Sequence, residues 1–150
     1  MLTVLSCKAQ PLSKKKEFTR QDTLRGTVTP ERAWWDVVHY EISVGPNYIE
    51  KTISGKNILA FKTVSEGNRM QLDLQVPMNI DSITLDGKVL PFVREGNAWF
   101  VDLPWKIDKG VTKSLHISFS GKPTEAINPP WDGGWIWKKD KQGNPWMSVA

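Results

Sequence analysis

Cysteine and histidine are nearly absent from this chain. Cys7 is its single cysteine, so the chain has no disulfide framework and no site that needs two thiolates. His39 and His116 are its two histidines, which leaves little material for a metal centre. No run of roughly eighteen apolar residues occurs, so no helix of this sequence is built to span a bilayer. The H-E-x-x-H arrangement, which sets two zinc ligands and a general base on one helical face, is missing. His39 is followed by Tyr40 and Glu41, one position out of register for that motif and in a strand-like context. The G-x-S-x-G nucleophile elbow and the glycine-rich phosphate loop are missing too. The chain therefore carries no catalytic constellation and no metal site of its own.

Net positive charge is absent outside one short stretch. The formal net charge is +4, and residues 8–20 hold all of it: Lys8, Lys14, Lys15, Lys16 and Arg20 stand against Glu17. The remaining sequence is neutral. A nucleic-acid partner needs cations arrayed over the folded surface, so nucleic-acid binding is not expected. A hydrophobic share of 39% with 24% charged residues excludes a disordered chain, and 150 residues suffice for one domain with its own core.

What is present, from Val38 onward, is apolar alternation with a period of two. Val38, Tyr40, Ile42 and Val44 alternate with polar neighbours, which predicts a half-buried strand. Ile53, Leu59 and Phe61 share a face on a second strand after the Gly45-Pro46-Asn47 turn. Met70, Leu72, Leu74 and Val76 predict a third, with Gln71, Asp73 and Gln75 on its polar face. Asp86-Gly87 suits a tight hairpin between Ile83-Thr84-Leu85 and the run Val89, Leu90, Phe92. Trp99, Val101 and Leu103 follow the Glu95-Gly96-Asn97 turn, and Leu115, Ile117 and Phe119 form the last clear strand. No amphipathic helical window of twelve residues is found. The fold class predicted is all-β, an antiparallel β-sandwich of roughly seven or eight strands plus a C-terminal hairpin. His39 and His116 fall on the polar faces of their strands. Asp73, Asp81, Asp86 and Asp102 fit solvated faces or turns, so no acid-base carboxylate pair is indicated.

The two ends differ from the body. Residues 1–7 are apolar up to Ser6-Cys7, similar to the end of a secretory signal and to the junction where bacterial lipoproteins are acylated. Cys7 is accordingly a candidate lipid-anchor site, and a frayed terminus with a free thiol is the competing reading. Residues 1–21 are expected to be a signal remnant and flexible tether, and residues 22–150 the folded domain. At the other end, Trp131, Trp135, Trp137 and Trp146 are four of the chain's eight tryptophans. Trp135-Ile136-Trp137 can pair with Trp146-Met147-Ser148 across the loop Lys138–Asn144. Four indoles carry about 800 Å² of surface, more than the roughly 300–600 Å² of the largest apolar patch on a typical monomer. They could fold back on the sandwich, stack on sugar rings, or pack against a domain outside this chain.

The stretches TLRGTVTPERAWWDVVHYEI, KTISGKN and GKPTEAINPPWDGGWIWKKDKQGNPWMSVA resemble the N-terminal domain of zinc aminopeptidases of the aminopeptidase N family. The resemblance is strongest to secreted forms from Bacteroidetes-type bacteria. It runs from about Asp22 to Ala150, with the Trp-Asp-Gly-Gly-Trp run as its most specific part. It implies a saddle-like β-domain that is non-catalytic, binds no cofactor, and precedes a zinc-bearing catalytic domain of the same polypeptide. In that family H-E-x-x-H and a downstream glutamate hold the zinc, and none of these residues lies in this sequence. The complete enzyme would remove N-terminal residues from peptides, in a secreted, periplasmic or envelope-anchored setting. Trp131, Asp132, Trp135, Trp137, Trp146, Met147 and Ser148 would lie beside the substrate site or at the junction with the catalytic domain. A free-standing carbohydrate-binding sandwich is the alternative.

Overall fold

The computed structural model describes residues 17–150. The first element among the described residues is helix α1 (Arg20–Gly26), which is capped by Thr19: its hydroxyl accepts from the Asp22 amide while the Asp22 carboxylate accepts from the Thr19 amide. This capping box satisfies two of the unpaired donors of the first turn. The boundary expected at residue 21 thus falls inside a helix, and Arg20 is tied to Glu95 by an ion pair. Helix α2 (Pro30–Ala33) is a single turn started by proline. Both are shorter than any window in which an apolar helical period could register.

Ten strands follow in three sheets. The large sheet runs β1 (Trp35–Asn47), β2 (Thr52–Thr63), β8 (Thr112–Gly121), β4 (Asn79–Leu85), β5 (Lys88–Val89). The small sheet runs β3 (Gly67–Asp73), β7 (Ala98–Ile107), β6 (Phe92–Glu95), and β9 (Trp135–Lys139) pairs with β10 (Pro145–Val149). Every pairing between two of these strands is antiparallel. The expected all-β fold, roughly seven or eight strands plus a C-terminal hairpin, is observed with eight strands and the hairpin. Asp86 and Gly87 both take positive φ at the β4–β5 turn, as a two-residue hairpin requires.

The core lies between the two larger sheets. Leu59, Phe61, Ile83, Leu85, Leu115 and Ile117 of the large sheet meet Met70, Leu72, Trp99, Val101 and Leu103 of the small one. Fully burying such aliphatic side chains stabilises by about 1.5–3 kcal/mol each. The outer face of the small sheet is covered as well: Leu24 of α1 packs on Ala98 and Phe100. This cover explains Gln71, which alternation assigns to solvent but which is 1% exposed. Its Nε2 donates to the Leu24 carbonyl at 3.0 Å and its Oε1 accepts from the Thr29 hydroxyl at 2.8 Å.

One expectation is corrected. Tyr40, Ile42 and Val44 do share the inner face of the large sheet, opposite Leu59, Asn57 and Gly55. They are nevertheless 52%, 59% and 46% exposed, and Val38, at a bulge, is exposed too. A three-stranded sheet is too narrow to cover five strands, so the roof reaches Trp35 and Val37 at the start of β1 but stops short of Tyr40, Ile42 and Val44. Val76 likewise lies past the end of β3 and is exposed. His39 and His116 are exposed on the outer face, as expected.

Candidate functional site: the tryptophan hairpin and its loop

The hairpin is held by one face. Trp137 pairs with Met147 and Trp135 with Val149, so these side chains point the same way. Trp137 is buried with Ile53 and Met78, and the half-buried Tyr48, Leu74, Phe119, Trp135 and Met147 complete the cluster. Trp135 stacks on Trp137 with centroids 5.2 Å apart, and Tyr48 meets Trp137 edge-on at 6.1 Å. The Tyr48 hydroxyl donates to the Lys138 carbonyl at 2.8 Å, fixing β9 to the end of β1. The Trp137 Nε1 donor is buried without an acceptor.

The polypeptide leading into β9 is equally constrained. Glu125 bridges Trp135 in parallel; the Trp135 amide donates to the Thr124 carbonyl at 2.8 Å and the Ala126 amide to the Trp135 carbonyl at 3.0 Å. Gly134, at φ 132°, lies so close that a Cβ there would sit 2.8 Å from the Ala126 nitrogen and the Thr124 oxygen. Asp132 organises the loop: its carboxylate accepts from the Asn128 amide at 2.7 Å and from the Ile127 amide. These backbone bonds, Asn128 foremost, hold its pKa below the ordinary aspartate value. At the hairpin tip Asp140 accepts from the Asn144 side chain and from the Asn144 and Gln142 amides. The Asn144 side chain is the main cause of its lowered pKa.

The seven residues singled out in the sequence therefore separate. Trp135, Trp137 and Met147 face the body. Trp146 and Ser148, opposite Lys138 and Ile136, lie on the other face, with Trp146 59% exposed. Trp131 stands on the loop, 89% exposed, and Asp132 supports that loop. Cys7 lies outside the described residues. The uncovered indole surface is thus about 300 Å² rather than 800 Å², because the sandwich itself covers the other two rings. Tyr48, Ile53 and Met78, which anchor the hairpin, carry no sequence signal that would have joined them to a segment so far along the chain.

The described residues do not form a zinc site. Among the described residues no group of three His, Cys, Asp or Glu side chains is placed to hold a metal. The two histidines stand on strands separated by β2 and in different cross-strand rows: His39 faces Ala60, whereas His116 faces Ile58, which is opposite Glu41.

The fold of this chain is shared with part of several solved structures. A zinc metallopeptidase of the M1 class from Deinococcus radiodurans superposes with a TM-score of 0.58 at 22% identity, over 73% of this chain and 27% of the enzyme. A variant of that metallopeptidase bound to a Tyr-Ser-Ala substrate gives 0.58 at 21%, over 76% and 28%. Leukotriene A4 hydrolase from Saccharomyces cerevisiae gives 0.57 at 19%, over 76% of this chain and 18% of the hydrolase. Such identities establish a shared fold, and the chain spans about a quarter or less of those proteins. No protein-family model matches the chain, and no curated protein matches it.

Proposed function

We propose that this chain is the non-catalytic N-terminal β-domain of a secreted or envelope-anchored zinc aminopeptidase, and that its tryptophan hairpin seats the catalytic domain. The observation that carries the reading is the likeness of fold to zinc metallopeptidases over only a fraction of their length. The hairpin supports it. One face is anchored through Trp137, while Trp146 and the loop residue Trp131 present indoles outward on a rigid frame. Peptide substrates, a zinc ion and a lipid anchor at Cys7 belong to the complete protein in this reading. The purified chain should retain no zinc through dialysis and hydrolyse no aminoacyl-nitroanilide. One equivalent of retained zinc, or turnover above buffer, would overturn the assignment.

A further inference from the structure

We propose that the open edge of β1 is a self-pairing surface, through which two copies of this chain join their large sheets about a twofold axis at Ile42. An edge strand is a template for another strand unless it is short, charged, bulged or covered. The other edges are so managed. β5 has two residues and bears Lys88, β6 has four and bears Arg94, and β10 begins at Pro145. β3 carries Arg69, whose carbonyl accepts from the Trp34 indole at 2.7 Å, and β9 is flanked by Glu125. β1 runs thirteen residues with no lysine or arginine; its charges are Asp36 and Glu41, and its bulge lies near its start, between Val37 and His39.

The regular part of that edge is bounded by the bulge between Val37 and His39 and by Pro46. Proline is tolerated in a ladder where its missing N–H would face the open edge. Residues of the same parity, Tyr40, Ile42 and Val44, then direct their backbone groups outward. The window His39–Gly45 has Ile42 at its centre. Antiparallel pairing about Ile42 sets Ile42 against Ile42 and Tyr40 against Val44 on the apolar face, and Glu41 against Ser43 on the polar one. Centring on Glu41 would oppose two like charges, which is destabilising. The favoured register is isologous, apolar on one face and without like charges directly opposed on the other. It covers the exposed Tyr40, Ile42 and Val44 and narrows the mouth of the cleft of about 480 Å³ that Tyr40 and Ile42 line with Leu59, Leu72, Leu74 and Phe119. Seven residues a side fall short of the roughly 20–30 of a stable interface, which sets the expectation at a reversible, roughly micromolar dimer.

Sedimentation velocity over rising concentration should show the 17.0 kDa chain passing to twice that mass. Ile42→Lys, placing two cations at the axis, should weaken association at least about tenfold with unchanged far-UV circular dichroism, whereas Val89→Lys on the opposite edge should not. In a Cys7→Ser background, Ile42→Cys should oxidise to a covalent dimer. Tyr40→Cys should do so only when mixed with Val44→Cys. A monomer at every concentration, association indifferent to Ile42→Lys, or crosslinking that ignores this register would overturn the proposal.

Discussion

Replacing Trp137 by alanine should release the hairpin without unfolding the sandwich. The indole is 9% exposed and fills the space between Ile53 and Met78, with Trp135 stacked on it and Tyr48 against its edge. Truncating a buried tryptophan costs about 3–5 kcal/mol through lost transfer energy and the cavity left behind. Two aromatic pairs, worth about 0.5–1.5 kcal/mol each beyond area, place the cost toward the upper end. No hydrogen bond is forfeited, because Nε1 has no acceptor. Trp137→Phe should therefore recover more than half of the loss. The buried residues around Trp137 form a cluster of their own, joined to the main core through the half-buried Leu74, so the damage should stay local. Hydrogen exchange read by mass spectrometry should show β9 and β10 losing protection while β2, β7 and β8 keep theirs. A loss below about 1 kcal/mol, or equal loss of protection across all strands, would refute the anchoring role.

Other outcomes follow from the same geometry. Gln71→Ala removes the partner of the Leu24 carbonyl and the Thr29 hydroxyl, and should cost about 1–3 kcal/mol in urea melts with α1 exchanging faster. Gly134→Ala should disrupt the loop because its Cβ meets backbone, whereas Gly143→Ala, at positive φ but in open space, should cost only about 1–2 kcal/mol; thermal melts rank the two. Asp132 and Asp140 have folded pKa values below their unfolded ones, so their contribution is complete above the ordinary aspartate range and lost as pH falls through the folded values. Near-UV circular dichroism of the hairpin tryptophans should hold steady down to that range and then collapse, and Asp140→Asn should flatten part of that acid transition. Trp131→Ala and Trp146→Ala should change stability by less than about 0.5 kcal/mol, since both rings are exposed. If tail tryptophan fluorescence instead shifts saturably with soluble glycans and Trp131→Ala abolishes the shift, sugar binding replaces domain docking.

Faces were legible in the sequence, while coverage was not. Alternation assigned Leu59, Phe61, Leu115 and Ile117 to one side of their strands, and they line the core. The same rule put Tyr40 and Ile42 on the inner face without revealing that the opposing sheet stops short of them. Gln71 fails in the opposite sense: polarity reads as exposure unless a distant element, here α1 from earlier in the chain, is known to lie over it. The Asp86-Gly87 turn was legible because its chemistry is local. The neighbouring of β2 with β8 and of β8 with β4 was not, because strand order depends on long-range packing that no local pattern encodes. The hairpin was visible as paired tryptophan runs, but the division into covered Trp135 and Trp137 and exposed Trp131 and Trp146 depends on Tyr48, Ile53 and Met78 arriving beneath it.

The reading of this chain as the forward domain of a metallopeptidase is tested most directly by the coding DNA beyond Ala150. The account predicts an open frame that reaches H-E-x-x-H and then a further glutamate. A stop codon directly after Ala150 in an intact gene, with no peptidase frame adjoining it, would contradict it.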